Sequence, residues 1–249
     1  MLTHGELRIE PARQILEAAR RWLEPVRAAL GDLFLSAYLT GSVLTQAFDP
    51  RKSHVNVALV ARELPADVLD AVARVIGRPR RSLRFAPLLL TRAQIAKSLD
   101  VFPIEWLEMK ERHLLLEGED VLAGVEVPQR WLRLQCEHEL RGKHIQLRQA
   151  YLFSARRPAE LAHVLRASAS SFAALFRTLL RLRGEIPPAE SPRVIERIAE
   201  AYGLDAKGLL SAHLVRYGPR RRSSEILQLF RGFLVEIDRL VGAIDRLSP

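Results

Sequence analysis

The pattern of apolar and polar residues in the first half of the chain predicts short strands that alternate with helices. Residues 33–60, LFLSAYLTGSVLTQAFDPRKSHVNVALV, predict a strand that ends at Thr40, a turn at Gly41 and Ser42, a helix, and a second alternating strand over residues 54–59. A third strand is predicted over residues 82–90, SLRFAPLLL. The amino-terminal half is therefore predicted to be an α/β domain.

Two further helices accompany these strands. Apolar residues recur at helical spacing over residues 11–30, where Pro25 is expected to kink or break the helix. The next helix is predicted to open at Pro65 and to close at Gly77, between the second strand and the third.

From about Pro128 onward the pattern predicts helices alone. The last apolar stripe is the most regular, and Ser224 is expected to cap its helix. A proline-rich loop is predicted over residues 184–192, followed by a short helix that Gly203 stops. We therefore predict an α/β domain over residues 1–127 and an all-α helical bundle over residues 128–249.

Residues 33–60 resemble the nucleotidyltransferase superfamily, which includes DNA polymerase beta and the aminoglycoside adenylyltransferases. In that family a Gly-Ser pair cradles the nucleotide triphosphate, and Gly41 and Ser42 match this pair. An Asp-x-Asp or Asp-x-Glu pair holds magnesium, and those two positions fall on His54 and Asn56. The resemblance implies a mixed-sheet α+β fold, with phosphate or nucleotide binding at these four residues.

The side chains at positions 54 and 56 are predicted to share one strand face, because successive strand residues point to opposite faces. Magnesium prefers carboxylate, water and phosphate oxygens, and a neutral imidazole and an amide are poor substitutes. The third carboxylate that the resemblance implies is missing from residues 82–90. We therefore predict no metal site and no certain cofactor, and a catalytically degenerate protein, a pseudoenzyme candidate that can still bind a nucleotide.

Two alternatives stay open for these residues. Gly41 and Ser42 can form an ordinary tight turn that needs glycine, and His54 and Asn56 can be polar residues on a solvated strand face. Whether the protein is an enzyme is also left open.

Residues 100–120, DVFPIEWLEMKERHLLLEGED, resemble a block of bacterial nucleotidyltransferase-like proteins. There an extended Phe-Pro-Ile-Glu run leads into a Leu-x-Gly-x-Asp turn, which Leu116, Gly118 and Asp120 match. The acids of residues 105–120, or Asp49, suggest a second hypothesis. They would hold magnesium for active transfer of a nucleotide monophosphate from a nucleoside triphosphate to a hydroxyl of a small molecule or protein. The alternative is that they form ordinary surface ion pairs.

Composition and charge bound the remaining choices. The 249 residues, 48% of them apolar, can bury a sizeable core, and the formal net charge of +9 favours phosphates, nucleotides, nucleic acid or acidic proteins. Arginines cluster at two places, Arg78, Arg80, Arg81 and Arg84, and Arg220, Arg221 and Arg222. Because neither cluster is interleaved with aromatic residues, nucleic-acid binding is not expected.

The single Cys136 lies in an apolar helical series and is expected to be a small buried hydrophobe. No stretch of about 18 apolar residues and no secretory signal pattern is present, which predicts a cytoplasmic bacterial protein without a membrane segment. A third hypothesis is a non-enzymatic interaction module, in which the helical domain binds a partner, with a homodimer left open.

Overall fold

The computed structural model describes residues 10–45, 48–50, 53–76 and 83–245. The chain divides into two compact units, the first ending at Pro128 and the second beginning at Gln129. The first unit contains a sheet with helices, and the second is built of helices. This arrangement confirms the predicted fold class, a mixed-sheet α/β part followed by a helical part.

The sheet of the first unit has four strands, β1 Phe34–Thr40, β2 Val55–Ala61, β3 Phe85–Thr91 and β4 His113–Gly118. Their order across the sheet is β3-β2-β1-β4. Strand β1 is antiparallel to both β2 and β4, and β2 is parallel to β3. The three strands predicted from the sequence are confirmed, and β4 was not predicted.

The helices of the first unit are α1 Arg13–Leu30, α2 Ala66–Ile76, α3 Arg92–Lys97 and α4 Pro103–Glu111, with 3-10 turns at Gly31–Leu33 and Gly41–Leu44. Helix α1 is not broken at Pro25, which lies on its exposed side. Apolar side chains on both faces of the sheet are buried. One face packs with α1 and α2, and the other with Ile95 of α3 and Trp106 of α4.

Two expectations for the first unit are wrong. Among the described residues between Gly41 and β2, the predicted helix is replaced by a 3-10 turn of four residues. The Phe-Pro-Ile-Glu run is the start of α4 and not extended, because Pro103 occupies the first helical turn, where its missing N–H costs nothing. Gly77 and the arginines at positions 78, 80 and 81 lie outside the described residues.

The second unit contains α5 Gln129–Ser154, α6 Pro158–Leu182, α7 Ser191–Tyr202, α8 Ala206–Tyr217 and α9 Ser223–Asp245. Phe172 of α6 stacks edge-on against Phe233 of α9, at 5.1 Å between ring centroids, inside the core of this unit. Gly203 ends α7 in the left-handed conformation, as predicted, at φ 66°. Helix α9 begins at Ser223, so Ser224 lies in its first turn and is not the cap.

Among the described residues, no helix combines the length and the apolar character that crossing a membrane would require.

Candidate functional site

The turn after β1 is built around Gly41. Its φ of +75° lies in the left-handed region, where glycine has no steric penalty. The backbone then forms the 3-10 turn Gly41–Leu44, which the Thr40 side chain does not cap. Thr45 closes the turn, because both its backbone N–H and its hydroxyl donate to the carbonyl oxygen of Ser42 at 2.9 Å.

Asn56 lies directly beside this turn. It pairs with Thr40 across β1 and β2, so the two side chains share one face of the sheet. A Cβ atom added to Gly41 would lie 2.8 Å from Nδ2 of Asn56, closer than such contacts allow. Glycine is therefore needed at position 41 for space as well as for φ, and the Asn56 amide borders the turn.

His54 stands one residue before β2 and has an exposed side chain. The next residue, Val55, donates its backbone N–H to the carbonyl oxygen of Arg84 at 2.8 Å, which fixes this end of the strand. The structure thus places the Asn56 side chain against the Gly41–Ser42 turn. Asn56 and His54 are both exposed, and no contact joins His54 to the turn in the described part of the chain.

Strand β4 adds a side chain that the sequence did not indicate. Thr40 pairs with Asn56 on one side and with His113 on the other, so these three residues form a row across the sheet. Two strand spacings separate the Cα atoms of Asn56 and His113 by about 10 Å. This row becomes visible only when the register of β4 against β1 is known. The sequence around His113 does not indicate that its side chain belongs to the site.

His113 is buried, at 9% exposure, and its ring is held at both nitrogens. Nδ1 lies 2.9 Å from the carbonyl oxygen of Met109 and 3.0 Å from that of Lys110, so Nδ1 must carry the donated hydrogen. Nε2 lies 3.1 Å from Oδ1 of Asp120. Nε2 also lies 3.2 Å from Oδ2 of Asp120, and Oδ1 accepts from the N–H of Ala123 at 3.1 Å.

The Leu-x-Gly-x-Asp turn is explained by packing against β1. Gly118 has φ +92°, and a Cβ there would lie 2.0 Å from the carbonyl oxygen of Leu35. The Tyr38 hydroxyl donates to the carbonyl oxygen of Glu119 at 2.8 Å and accepts from the N–H of Val121 at 2.7 Å. Burial raises the pKa of Tyr38, so its hydroxyl keeps its proton at neutral pH.

The side chains around the turn do not fit magnesium. The two positions at which the family carries carboxylates hold an exposed imidazole and an amide, and Ala86 is the β3 residue paired with Asn56. Within the described ranges, no three His, Cys, Asp or Glu side chains group in a way that could hold a metal ion. A hard divalent cation would find an amide oxygen here in place of carboxylates.

Three of the acids proposed as substitutes pair with arginines. Glu117 pairs with Arg27 at 2.7 Å, and the exposed Glu119 pairs with Arg92. Glu108 pairs with Arg112 one helical turn away on α4. These contacts match the alternative of ordinary ion pairs.

Asp49, the candidate outside residues 105–120, lies in the loop before β2. Its carbonyl oxygen accepts from the N–H of Ser53 at 2.7 Å, and its own N–H donates to the Ser53 hydroxyl at 3.3 Å. These contacts are made by the Asp49 backbone and tie the two ends of the loop together.

Neither a protein-family model nor a curated protein matches this chain. Among solved structures, the chain is similar to the spectinomycin adenyltransferase of Enterococcus faecialis, solved with ATP and spectinomycin, with a TM-score of 0.52 and 14% sequence identity. The similarity covers 93% of this chain and 99% of the other. At this identity it shows the fold alone, so the chain has a nucleotidyltransferase-like fold that continues into a helical part.

Proposed function

We propose that this protein binds a nucleotide or another phosphate-bearing anion at the Gly41–Ser42 turn and has lost metal-assisted transfer. The observation that carries the proposal is the position of the Asn56 amide, whose Nδ2 borders Gly41 where a metal-binding carboxylate would otherwise stand. The sheet position is kept, and the charge that would hold a divalent cation is replaced by a neutral donor.

The replacement changes how a phosphate can be held. A carboxylate repels a phosphate and contacts it through a bridging cation, whereas an amide N–H donates to a phosphate oxygen directly. Asn56 can therefore act together with the backbone N–H groups of the turn. The 3-10 turn has only four residues, so anion binding depends on these local donors and not on a helix dipole.

The class of ligand comes from the similar fold. The adenyltransferase structure contains ATP, and we extend a nucleotide ligand to this chain on the strength of the similar fold and of the Gly41–Ser42 turn that follows β1. Fold similarity sets the expectation, and the residues of the turn decide the chemistry.

Active nucleotide transfer is the alternative. It would require magnesium held by Asp49 or by the acids of residues 105–120. The ion pairs of Glu108, Glu117 and Glu119 with arginines oppose it, because each carboxylate would have to leave its partner to bind a cation.

A non-enzymatic interaction role for the helical unit is favoured by one observation. Leu134, Ile145 and Leu152 are exposed by 60%, 55% and 77% and share one face of α5, being 11 and 7 residues apart. A homodimer through this face predicts a solution mass of twice 28.2 kDa by light scattering, which Ile145→Glu should reduce to the monomer.

Calorimetric titration of the full-length protein with ATP tests the proposed function. We expect weak binding whose affinity changes by less than about threefold between buffers that contain magnesium and EDTA. Pyrophosphate should compete with ATP, and adenosine should not, because the turn offers donors to phosphate. A loss of tenfold or more on chelation, or nucleotide transfer at a steady rate, would show a working metal site.

A further inference from the structure

The net positive charge of the chain comes from the helical unit. Residues 1–128 carry 17 Lys and Arg against 17 Asp and Glu, whereas residues 129–249 carry 21 against 12. The formal net charge of +9 therefore belongs to the second unit alone. Long-range attraction for a polyanion must originate there and not around the Gly41 turn.

Most of this charge gathers at one end of the helical unit. We call this the basic end, defined as residues 151–166 and 213–231, which hold eight arginines and two glutamates. Contacts between helices bring the two segments together. Arg216 on α8 donates through Nη1 to the carbonyl oxygen of Arg166 on α6 at 2.9 Å, and Arg231 on α9 donates through Nε to the Tyr151 hydroxyl on α5 at 2.8 Å.

The arginines of the basic end are exposed and largely uncompensated. Arg157 pairs with Glu160 at 2.7 Å. Within the described part of the chain, the others form no ion pair with Asp or Glu: Arg156, Arg166, Arg216, Arg220, Arg221, Arg222 and Arg231. The second glutamate, Glu225, accepts from the backbone N–H of Arg222 at 3.3 Å. Seven guanidinium groups are thus available to an external anion.

The fold also supplies the aromatic side chains that the arginine run lacks in sequence. Tyr217, the last residue of α8, is 49% exposed, and Phe153, near the end of α5, is 74% exposed. The Arg216 guanidinium lies 5.3 Å from the centre of the Tyr217 ring, and the His213 ring lies 4.7 Å from it. An exposed ring beside guanidinium groups is the arrangement on which unpaired bases stack.

We propose that the basic end binds single-stranded nucleic acid, with arginines on the phosphate backbone and Tyr217 and Phe153 stacking on bases. An acidic protein could pair with the same arginines, but the exposed aromatic rings would add little to its binding. Arginine also suits phosphate, because its planar fork donates two parallel hydrogen bonds to one group. The proposal is independent of the Gly41 turn.

Fluorescence anisotropy with a labelled oligo(dT) of about 20 nucleotides tests the proposal on the full chain. Arg220→Ala/Arg221→Ala/Arg222→Ala should weaken binding at least tenfold and lower the slope of log affinity against log salt by about 2, since each lost phosphate contact removes about 0.7. The control Arg20→Ala/Arg21→Ala/Arg74→Ala removes three exposed arginines from the neutral unit and should bind as the wild type does. Equal weakening in both triple variants would overturn the proposal.

Tyr217 distinguishes nucleic acid from other polyanions. Tyr217→Ala should weaken oligo(dT) binding at least about fivefold with an unchanged salt slope, while Tyr217→Phe keeps the ring and the affinity. Heparin, which has no bases, should bind both variants equally. If Tyr217→Ala leaves oligo(dT) binding intact, or if oligo(dT) does not bind at low salt, the proposal is wrong.

Discussion

At the scale of single residues, Gly41 and Asn56 carry the account of the site. The alternation of β2 predicted the face on which Asn56 lies, and the Gly-Ser pair predicted the turn. The sequence could not show that the two touch, because their contact depends on the register that pairs Thr40 with Asn56. It could not show His113 either, because that residue joins the row through a strand that has no clear sequence signal.

Replacing Gly41 tests this contact directly. Gly41→Ala should lose about 1–2 kcal/mol of stability, because alanine resists a positive φ, and should weaken ATP binding about tenfold, because the new Cβ displaces the Asn56 amide. Urea unfolding and calorimetry measure the two effects.

Gly184→Ala is the matched control. Gly184 has φ +77°, close to that of Gly41, but a Cβ there meets nothing within 4 Å. It should cost similar stability in the helical unit and leave ATP binding unchanged. Equal ATP affinities in the two variants would show that Asn56 does not take part in ATP binding.

At the scale of elements, the sequence pattern does not predict the fourth strand. Residues 113–118, HLLLEG, contain part of the predicted Leu-x-Gly-x-Asp turn, but they form a strand that pairs with β1 and ends at Gly118, close to the carbonyl oxygen of Leu35. Leu116 and Gly118 of the Leu-x-Gly-x-Asp motif are therefore strand residues, and glycine is needed at position 118 because β4 approaches β1 closely there. Sequence alone does not report which backbone a glycine must approach.

The buried Tyr38 hydroxyl fastens this turn to β1. Tyr38→Phe leaves the carbonyl oxygen of Glu119 and the N–H of Val121 without that partner, which should cost about 1–3 kcal/mol in urea unfolding of the first unit. Tyr151→Phe is the control, because its hydroxyl accepts from the exposed Arg231, and it should cost less than about 0.5 kcal/mol. Similar losses in the free energy of unfolding for both variants would show that the turn does not depend on the Tyr38 hydroxyl.

The buried thiol of Cys136 on α5 leads us to predict how the stability of the protein changes at alkaline pH. Its thiol is buried against α6, and burial raises its pKa from 9.0 to about 12. A thiol with a raised pKa contributes stability that is fully present below pH 9 and is lost as the pH approaches 12, by up to about 4 kcal/mol. Urea unfolding across this range should show a steeper decline for the wild type than for Cys136→Ala. Parallel declines would contradict the burial of the thiol.

At the scale of the whole molecule, composition gave the total charge but not its distribution in space. The sequence shows that the first unit is neutral and the second carries +9. Only the packing of the helices brings the two arginine-rich segments together, through the contacts of Arg216 with Arg166 and of Arg231 with Tyr151. We therefore propose different anions for the two units, a small phosphate-bearing ligand for the first and a polyanion for the second.

We propose that the neutral side chains at positions 54 and 56 have removed the affinity of the site for divalent cations. Calorimetric titration of magnesium into His54→Asp/Asn56→Asp tests it most directly, with Ala66→Asp/Ala73→Asp as a control that adds the same charge at exposed positions of α2. We predict undetectable magnesium binding by the wild type and the control, and a gain of at least about tenfold in the first variant. Firm magnesium binding by the wild type, or no gain on restoring the two carboxylates, would contradict the account.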